Sequence, residues 1–281
     1  MKIFVTIIIS FLTGYSLTAP AQSRELGFMI GAMGYKGDLN PVMLTDKFIH
    51  PGLGIIYRRC YTDHWSFRAG FNYGRISADD VKADDAYSVN RNLSFRSDIM
   101  ELHAGYEFNF FPYQTANPAT FASPYLFAGI AVYRFNPKAN LNGTWHALQP
   151  LGTEGQGTEL FPDRKAYSRI SVNIPFGGGL KIKIAKRFCT VIELGVRKTY
   201  TDYLDDVSKT YADPIYIRKE YGKPASLLSD RSLEKGRPQI GRQRGDSSTK
   251  DWYWFGGIQI CYTLSKKYID NCRPFRFKLS R

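Results

Sequence analysis

Apolar and polar residues alternate with a period of two along most of this chain, the spacing of a strand with one apolar face. Near the C-terminus Trp252, Trp254, Ile258, Ile260, Tyr262 and Leu264 share one face, while Tyr253, Gln259 and Thr263 share the other. Upstream, Phe188, Ile192, Leu194 and Val196 oppose Glu193, Arg197 and Thr199. Ile170, Val172, Ile174, Phe176, Leu180, Ile182 and Ile184 alternate with Ser171, Asn173, Lys181 and Lys183. Trp65, Phe67, Phe71 and Tyr73 alternate with Ser66, Arg68 and Asn72, and Met100, Leu102, Tyr106 and Phe108 with Glu101, His103, Glu107 and Asn109. Glycine-rich strands near 25–35 and 51–60, and a strand near 125–135 that is apolar on both faces, bring the expected number to eight.

Alternation alone also describes a soluble sandwich, so connections and aromatics have to decide. The gaps alternate in length: 36–50 long, 61–64 short, 75–97 long, 110–123 intermediate, 136–168 long, 185–187 short and 200–250 very long. An even-stranded outer-membrane barrel with both termini in the periplasm has long extracellular loops and short periplasmic turns, and all seven gaps fit that order. Trp65 and Tyr73 bracket one apolar face, Trp252 and Tyr262 another, as two interfacial girdles would. The expectation is an all-β, eight-stranded antiparallel transmembrane outer-membrane β-barrel in contact with outer-membrane lipid.

The N-terminus agrees. Lys2, an apolar run from Ile3 to Leu12 and the ending Ala19-Pro20-Ala21 describe a secretory signal peptide over 1–21. The apolar run is too short for a bilayer-spanning helix. The barrel is then expected over 22–264 and a basic periplasmic tail over 265–281. Aromatics make up 15% of the chain, with 19 Tyr, 19 Phe and 25 Gly. A mean hydropathy of -0.31 excludes a helical membrane bundle without excluding a barrel, whose strands are apolar only at every second residue.

An eight-stranded lumen has room for side chains and little else. Its inward positions include Glu101, Glu107 and Glu193 against Arg68, Arg197, Lys181 and Lys183, with Arg58 a further candidate and His103 beside Glu101. Buried charges persist only when paired, so these residues read as an internal network, either a structural plug or a gated solute path. The plug is favoured. His103 with Glu101 could form an acid–base pair, but no Ser stands convincingly beside a His. No phosphate loop, dinucleotide fingerprint or HExxH is present, and the chain reads as no enzyme, with no cofactor or metal site. Gly177–Gly179 lies within a strand, where it marks a bend or close packing.

Cys60, Cys189, Cys261 and Cys272 match no zinc spacing. Cys189 and Cys261 fall inward on neighbouring strands, which allows either a cross-strand disulfide or two buried thiols. Between Ile215 and Lys250, nine Lys/Arg outnumber four acids, a composition that suggests a long, partly mobile outer loop. The tail carries Lys266, Lys267, Arg273, Arg276, Lys278 and Arg281 against Asp270 alone, and reads as a partner-docking segment. The net charge of +13 suits anionic headgroups, lipopolysaccharide or an acidic protein; nucleic acid is not expected of an exported barrel.

One segment is more distinctive: Thr201-Asp202-Tyr203-Leu204-Asp205-Asp206-Val207-Ser208. Its carboxylates could hold Ca²⁺ or form Asx-turns that cap a strand. With ELGFMIGAMGYKGDLN, GLGIIYRRCYTDHWSFRAGFNYG and VIELGVRKTYTDYLDDVS, the chain resembles the PorG-like family of outer-membrane barrels of the Bacteroidetes type IX secretion system. That resemblance spans nearly the whole mature chain, with TDYLDDVS its most specific element. It implies a non-catalytic barrel that anchors a periplasmic ring, a lipoprotein and its partner, to the outer membrane. The alternative is a small barrel that binds or transports a lipid or small solute.

Overall fold

The computed structural model describes residues 23–113, 121–234 and 239–264. The signal peptide and the tail lie outside them, so Lys266, Lys267, Arg273, Arg276, Lys278 and Cys272 have no structural account here.

Ten strands are present among the described residues: β1 (Arg24–Lys36), β2 (His50–Cys60), β3 (Trp65–Asp79), β4 (Ser94–Asn109), β5 (Ala122–Arg134), β6 (Pro137–Leu141), β7 (Thr144–Ala147), β8 (Ile170–Lys183), β9 (Phe188–Thr199) and β10 (Trp252–Thr263). Eight of them form an antiparallel meander, β1-β2-β3-β4-β5-β8-β9-β10, that closes when β10 pairs with β1 from Glu25↔Thr263 to Lys36↔Trp252. Closure leaves no unpaired sheet edge, the requirement for crossing a bilayer with strands. The hairpin β6–β7 extends β4 beyond the barrel mouth, where Ser97 meets Pro137.

All eight expected strands are therefore found, and β3 and β4 run further than their alternation suggested. Their pairing reaches Asp79↔Ser94 and lifts a two-stranded ribbon above the mouth. The β5–β8 ladder skips from Ala128↔Phe176 to Ala131↔Asn173. Pro175, which has no N–H to donate, stands in that gap.

The apolar faces point outward. Ile130 is 74% exposed, Leu102 65%, Ile30 61% and Ile260 61%, values a water-soluble protein would not hold in one continuous belt. From Trp252 to Tyr262, ten steps of about 3.4 Å at a tilt of about 40° rise roughly 26 Å, the height of an outer-membrane apolar band. Aromatic pairs mark the short-turn rim, with ring centroids 5.1 Å apart for Trp65–Phe108 and 5.2 Å for Phe188–Tyr262. Among the described residues no helix is long and apolar enough to cross a membrane.

Among the described residues the long-loop end is folded, where composition alone suggested a long, partly mobile basic loop. Helices α1 (Ala86–Arg91), α2 (Pro214–Tyr221) and α3 (Lys223–Ser229) lie there. Asp213 caps α2 by accepting from the Ile215 N–H at 2.8 Å, and Pro214 occupies its first turn. Ile217, Ala225 and Leu228 are buried; Leu228 joins Leu204, Val207 and the upper barrel residues Met33, Ile76 and Phe95 in one apolar cluster.

Candidate functional site

Two polar systems occupy the barrel: a charge network in the lumen and a hydrogen-bonded loop cap above it. In the lumen, Arg58 from β2 reaches across to Glu107 of β4 (Nε to Oε1, 2.8 Å) and donates to Gln259 of β10 at 2.5 Å. Arg68 of β3 grips Glu193 of β9 with both terminal nitrogens, at 3.0 and 2.9 Å. This two-pronged geometry is the strong form of the contact. Lys181 of β8 donates to the second Glu107 oxygen at 2.6 Å. Nearer the long-loop end, Glu101 accepts from Asn72 at 2.7 Å, from Asn173 at 3.2 Å and from Tyr253, and pairs with Arg197 at 3.3 Å.

These contacts staple opposite walls together. Arg58, Lys181, Glu101 and Glu107 are all 0% exposed. With Glu25, also buried and inward, four cations (Arg58, Arg68, Lys181, Arg197) face four carboxylates (Glu25, Glu101, Glu107, Glu193), and the lumen is close to neutral. Tyr125, Phe127 and Tyr133 fill the space left over, which is why the strand near 125–135 is apolar on both faces. Phe127 lies under the Arg68 guanidinium at 4.0 Å. Gly179 supplies the room for Tyr125, since a Cβ there would come within 2.9 Å of the ring and 2.4 Å of the Ile192 carbonyl.

Sequence reasoning placed Arg68, Glu101, His103, Glu107, Lys181, Glu193 and Arg197 inward, and all are buried. Lys183, also placed inward, is half-buried at the short-turn rim, opposite Cys189. His103 packs against Gly70, whose Cβ would stand 2.7 Å from Nε2, while the Glu101 oxygens serve Asn72, Asn173, Tyr253 and Arg197. The candidate disulfide is not formed. Cys189 and Cys261 face each other in register as free thiols, as does Cys60 elsewhere on the rim, and Arg58 Nη1 contacts Cys261 Sγ at 3.0 Å.

The second system is built on TDYLDDVS, leaving β9. Leu204, Asp205, Asp206 and Val207 are buried. The Asp205 side chain accepts from the Val207 N–H at 2.9 Å, an Asx-turn. Asp206 holds a left-handed φ of 69°, which Asp tolerates better than most residues. Its carboxylate accepts from Thr153 at 2.5 Å and Tyr167 at 2.7 Å. Arg244 ties the segment to two others, donating to Glu154 at 3.0 Å and to the Asp206 carbonyl at 2.6 Å. Arg91 of α1 binds both oxygens of Asp80 at 2.8 Å and donates to the carbonyls of Arg244 and Asp38. Thr201 and Tyr203 frame the turn, the latter stacked on Tyr167 with centroids 4.6 Å apart.

Tyr35, at the top of β1, lies 2.5 Å from Asp205 Oδ2 and 3.1 Å from Asp251 Oδ1. A single hydroxyl hydrogen serves only one of these contacts. Burial pushes both Asp205 and Asp251 well above the usual carboxylate range. Burial likewise lifts Asp202 to about 7, and Asp206 to about 6 despite the nearby Arg244 guanidinium. Asp205 and Asp206 are thus occupied by Tyr, Thr and backbone donors, and among the described residues no group of three or more His, Cys, Asp or Glu is arranged to hold a metal ion.

A closed eight-stranded barrel with an apolar outer belt and a filled, paired lumen defines a membrane barrel of the small, plugged kind. A family model described as a domain of unknown function (DUF6089) matches residues 1–149, just over half of the chain, and the chain belongs to that family. Among curated proteins none matches it in sequence. Similar solved structures include Ail, the attachment invasion locus protein of Yersinia pestis, at 9% identity and a TM-score of 0.42, covering 87% of this chain and 100% of that one. Neisserial surface protein A gives 9% and 0.41, with 86% and 99% covered; OprG of Pseudomonas aeruginosa gives 8% and 0.34, with 86% and 94%. At such identities the likeness is one of architecture.

Proposed function

We propose that this barrel is a non-enzymatic outer-membrane subunit of the type IX protein secretion machinery, which anchors the periplasmic ring complex to the membrane. The observation that carries the anchoring part is the lumen, where Arg58, Arg68, Lys181 and Arg197 are locked to carboxylates on other strands and large side chains fill the space between. A plugged barrel does its work at its rims. The short-turn rim, with Tyr61, Phe110, Phe111 and Phe188 exposed, is read as periplasmic, and the folded long loops as extracellular. Support for the machine itself comes from the TDYLDDVS resemblance, six of whose eight residues are buried in the cap and so belong to the architecture rather than to a contact surface.

Pull-down of the full-length protein from solubilised outer membranes tests this reading. The ring lipoprotein and its partner are expected in the eluate, and removal of residues 265–281 should release them while the barrel still inserts. An eluate without ring proteins overturns the assignment. A second reading, a lipid-binding barrel, is favoured by an outer-face groove of about 660 Å³ lined by Leu102, Ala104, Ile130, Val132 and Val172, next to the gap at Pro175.

A further inference from the structure

Several charged side chains around the barrel mouth are paired: Arg75 pairs with Asp98 at 2.8 Å, Arg96 lies over the Trp145 ring at 3.4 Å, and Lys47 bonds Asp84 at 2.6 Å. At one place three lysines come together, and the nearest partner of Lys250 there is a backbone carbonyl, that of Ser247 at 3.2 Å. Lys36, Trp252 and Lys198 stand side by side in register on β1, β10 and β9, all facing outward at the upper limit of the apolar belt. Three strands at about 4.8 Å spacing put the two lysine backbones about 10 Å apart, within converging reach of their side chains. Lys250 joins them from the end of the last loop, and with Trp252 and Ser248, whose hydroxyl donates to Asp246 at 2.6 Å, they line a cavity of about 740 Å³.

We propose that Lys36, Lys198 and Lys250 form a binding site for the phosphate of a membrane lipid headgroup, with Trp252 at the headgroup level and the acyl chains along the belt below. The position selects a lipid over a free ion. The row sits where the apolar surface of Ile30, Ile258 and Leu194 ends, so a ligand with both a phosphate and hydrocarbon satisfies both halves. Lys198 Nζ lies 5.9 Å from the Trp252 ring, a cation held at an aromatic of the interface. Asp38 and Asp246 close the loop side of the cavity, and the Asp38 carboxylate already accepts from the Asp246 N–H at 3.0 Å. Three lysines against two carboxylates leave one net positive charge, which matches a singly charged phosphodiester.

The site rests on the membrane-barrel reading, and its test separates the two. Full-length protein is transferred to detergent and examined by native mass spectrometry with phosphatidylglycerol, with a diacylglycerol glycoside that lacks phosphate, or with inorganic phosphate alone. Wild type is expected to retain one phosphatidylglycerol, and Lys36→Gln/Lys198→Gln/Lys250→Gln to need about tenfold more lipid for the same occupancy. A control of equal charge, Lys165→Gln/Lys219→Gln/Lys223→Gln on exposed loop lysines, should bind like wild type. Trp252 fluorescence should be quenched by brominated phosphatidylglycerol in the wild type and less so in the triple variant. Equal retention by the triple variant, equal retention of the glycoside, or capture of inorganic phosphate in place of lipid overturns the site. Heat-modifiable gel mobility in vesicles reports insertion separately: a chain that never inserts refutes the barrel reading instead.

Discussion

Replacing Glu107 by Gln perturbs the lumen where it is most concentrated. One oxygen of Glu107 faces Arg58 Nε at 2.8 Å and Arg68 Nη1 at 3.3 Å, and the other faces Lys181 Nζ at 2.6 Å. The amide keeps the shape but removes the charge, and its NH₂ must turn toward one of these cations. Deleting one partner of a buried ion pair costs about 3–5 kcal/mol because the other charge is left uncompensated. With three cations involved, Glu107→Gln is expected at the upper end of that range. The assay is urea unfolding of the barrel in lipid vesicles, followed by tryptophan fluorescence and heat-modifiable mobility. Adding Lys181→Met to Glu107→Gln removes one stranded cation and should recover about 2 kcal/mol, a coupling that additive sites would not show. A loss below about 1 kcal/mol for Glu107→Gln, or strict additivity in the double variant, would refute the reasoning, since that is the range of an unremarkable substitution.

The remaining predictions concern the cap and the packing. Arg244→Ala removes the bonds to Glu154 and Asp206 and is expected to open residues 200–251 to limited proteolysis while the barrel stays resistant; cleavage patterns identical to wild type would contradict it. The cap should tighten as pH falls. Asp202 at about 7, and Asp206 and Asp38 at about 6, lie above their unfolded value near 4, so the folded state binds more protons. The stabilisation is complete below about pH 4 and lost as pH rises through 6 to 7. Hydrogen exchange of the cap amides, corrected for intrinsic rate, should therefore show greater protection at pH 5 than at pH 8, and the reverse order would sink the assignment. Gly179→Ala places a methyl group 2.4 Å from the Ile192 carbonyl and 2.9 Å from Tyr125, and should cost about 1–3 kcal/mol in the same unfolding assay.

What the sequence made legible follows from range. A strand announces itself through residues two apart, so five of the eight barrel strands and most of the inward charges could be read from parity, while glycine-rich β1 and β2 and doubly apolar β5 rested on weaker signals. Glu25 was missed because one inward acid in a glycine-rich strand has no pattern to reveal it. The cap was unreadable for a different reason. Its contacts join Tyr35 to Asp205, 170 residues on, and Arg244 to Glu154, 90 residues back. Counted locally, the segment from Ile215 to Lys250 is an excess of cations, but the acid that holds Arg244 comes from a different loop. A signal was present in Asp213-Pro214 followed by spaced apolar residues, which is a helix start rather than a solvated linker.

Conductance across a planar lipid bilayer tests the central claim most directly, because a plugged anchor and a pore differ there and in little else. The full-length barrel, inserted from detergent at neutral pH, is expected to add no steady current above baseline while Glu107, Glu193 and Glu101 hold their cations. Steady ohmic steps from the wild-type protein would mean that the lumen opens, and would contradict the account.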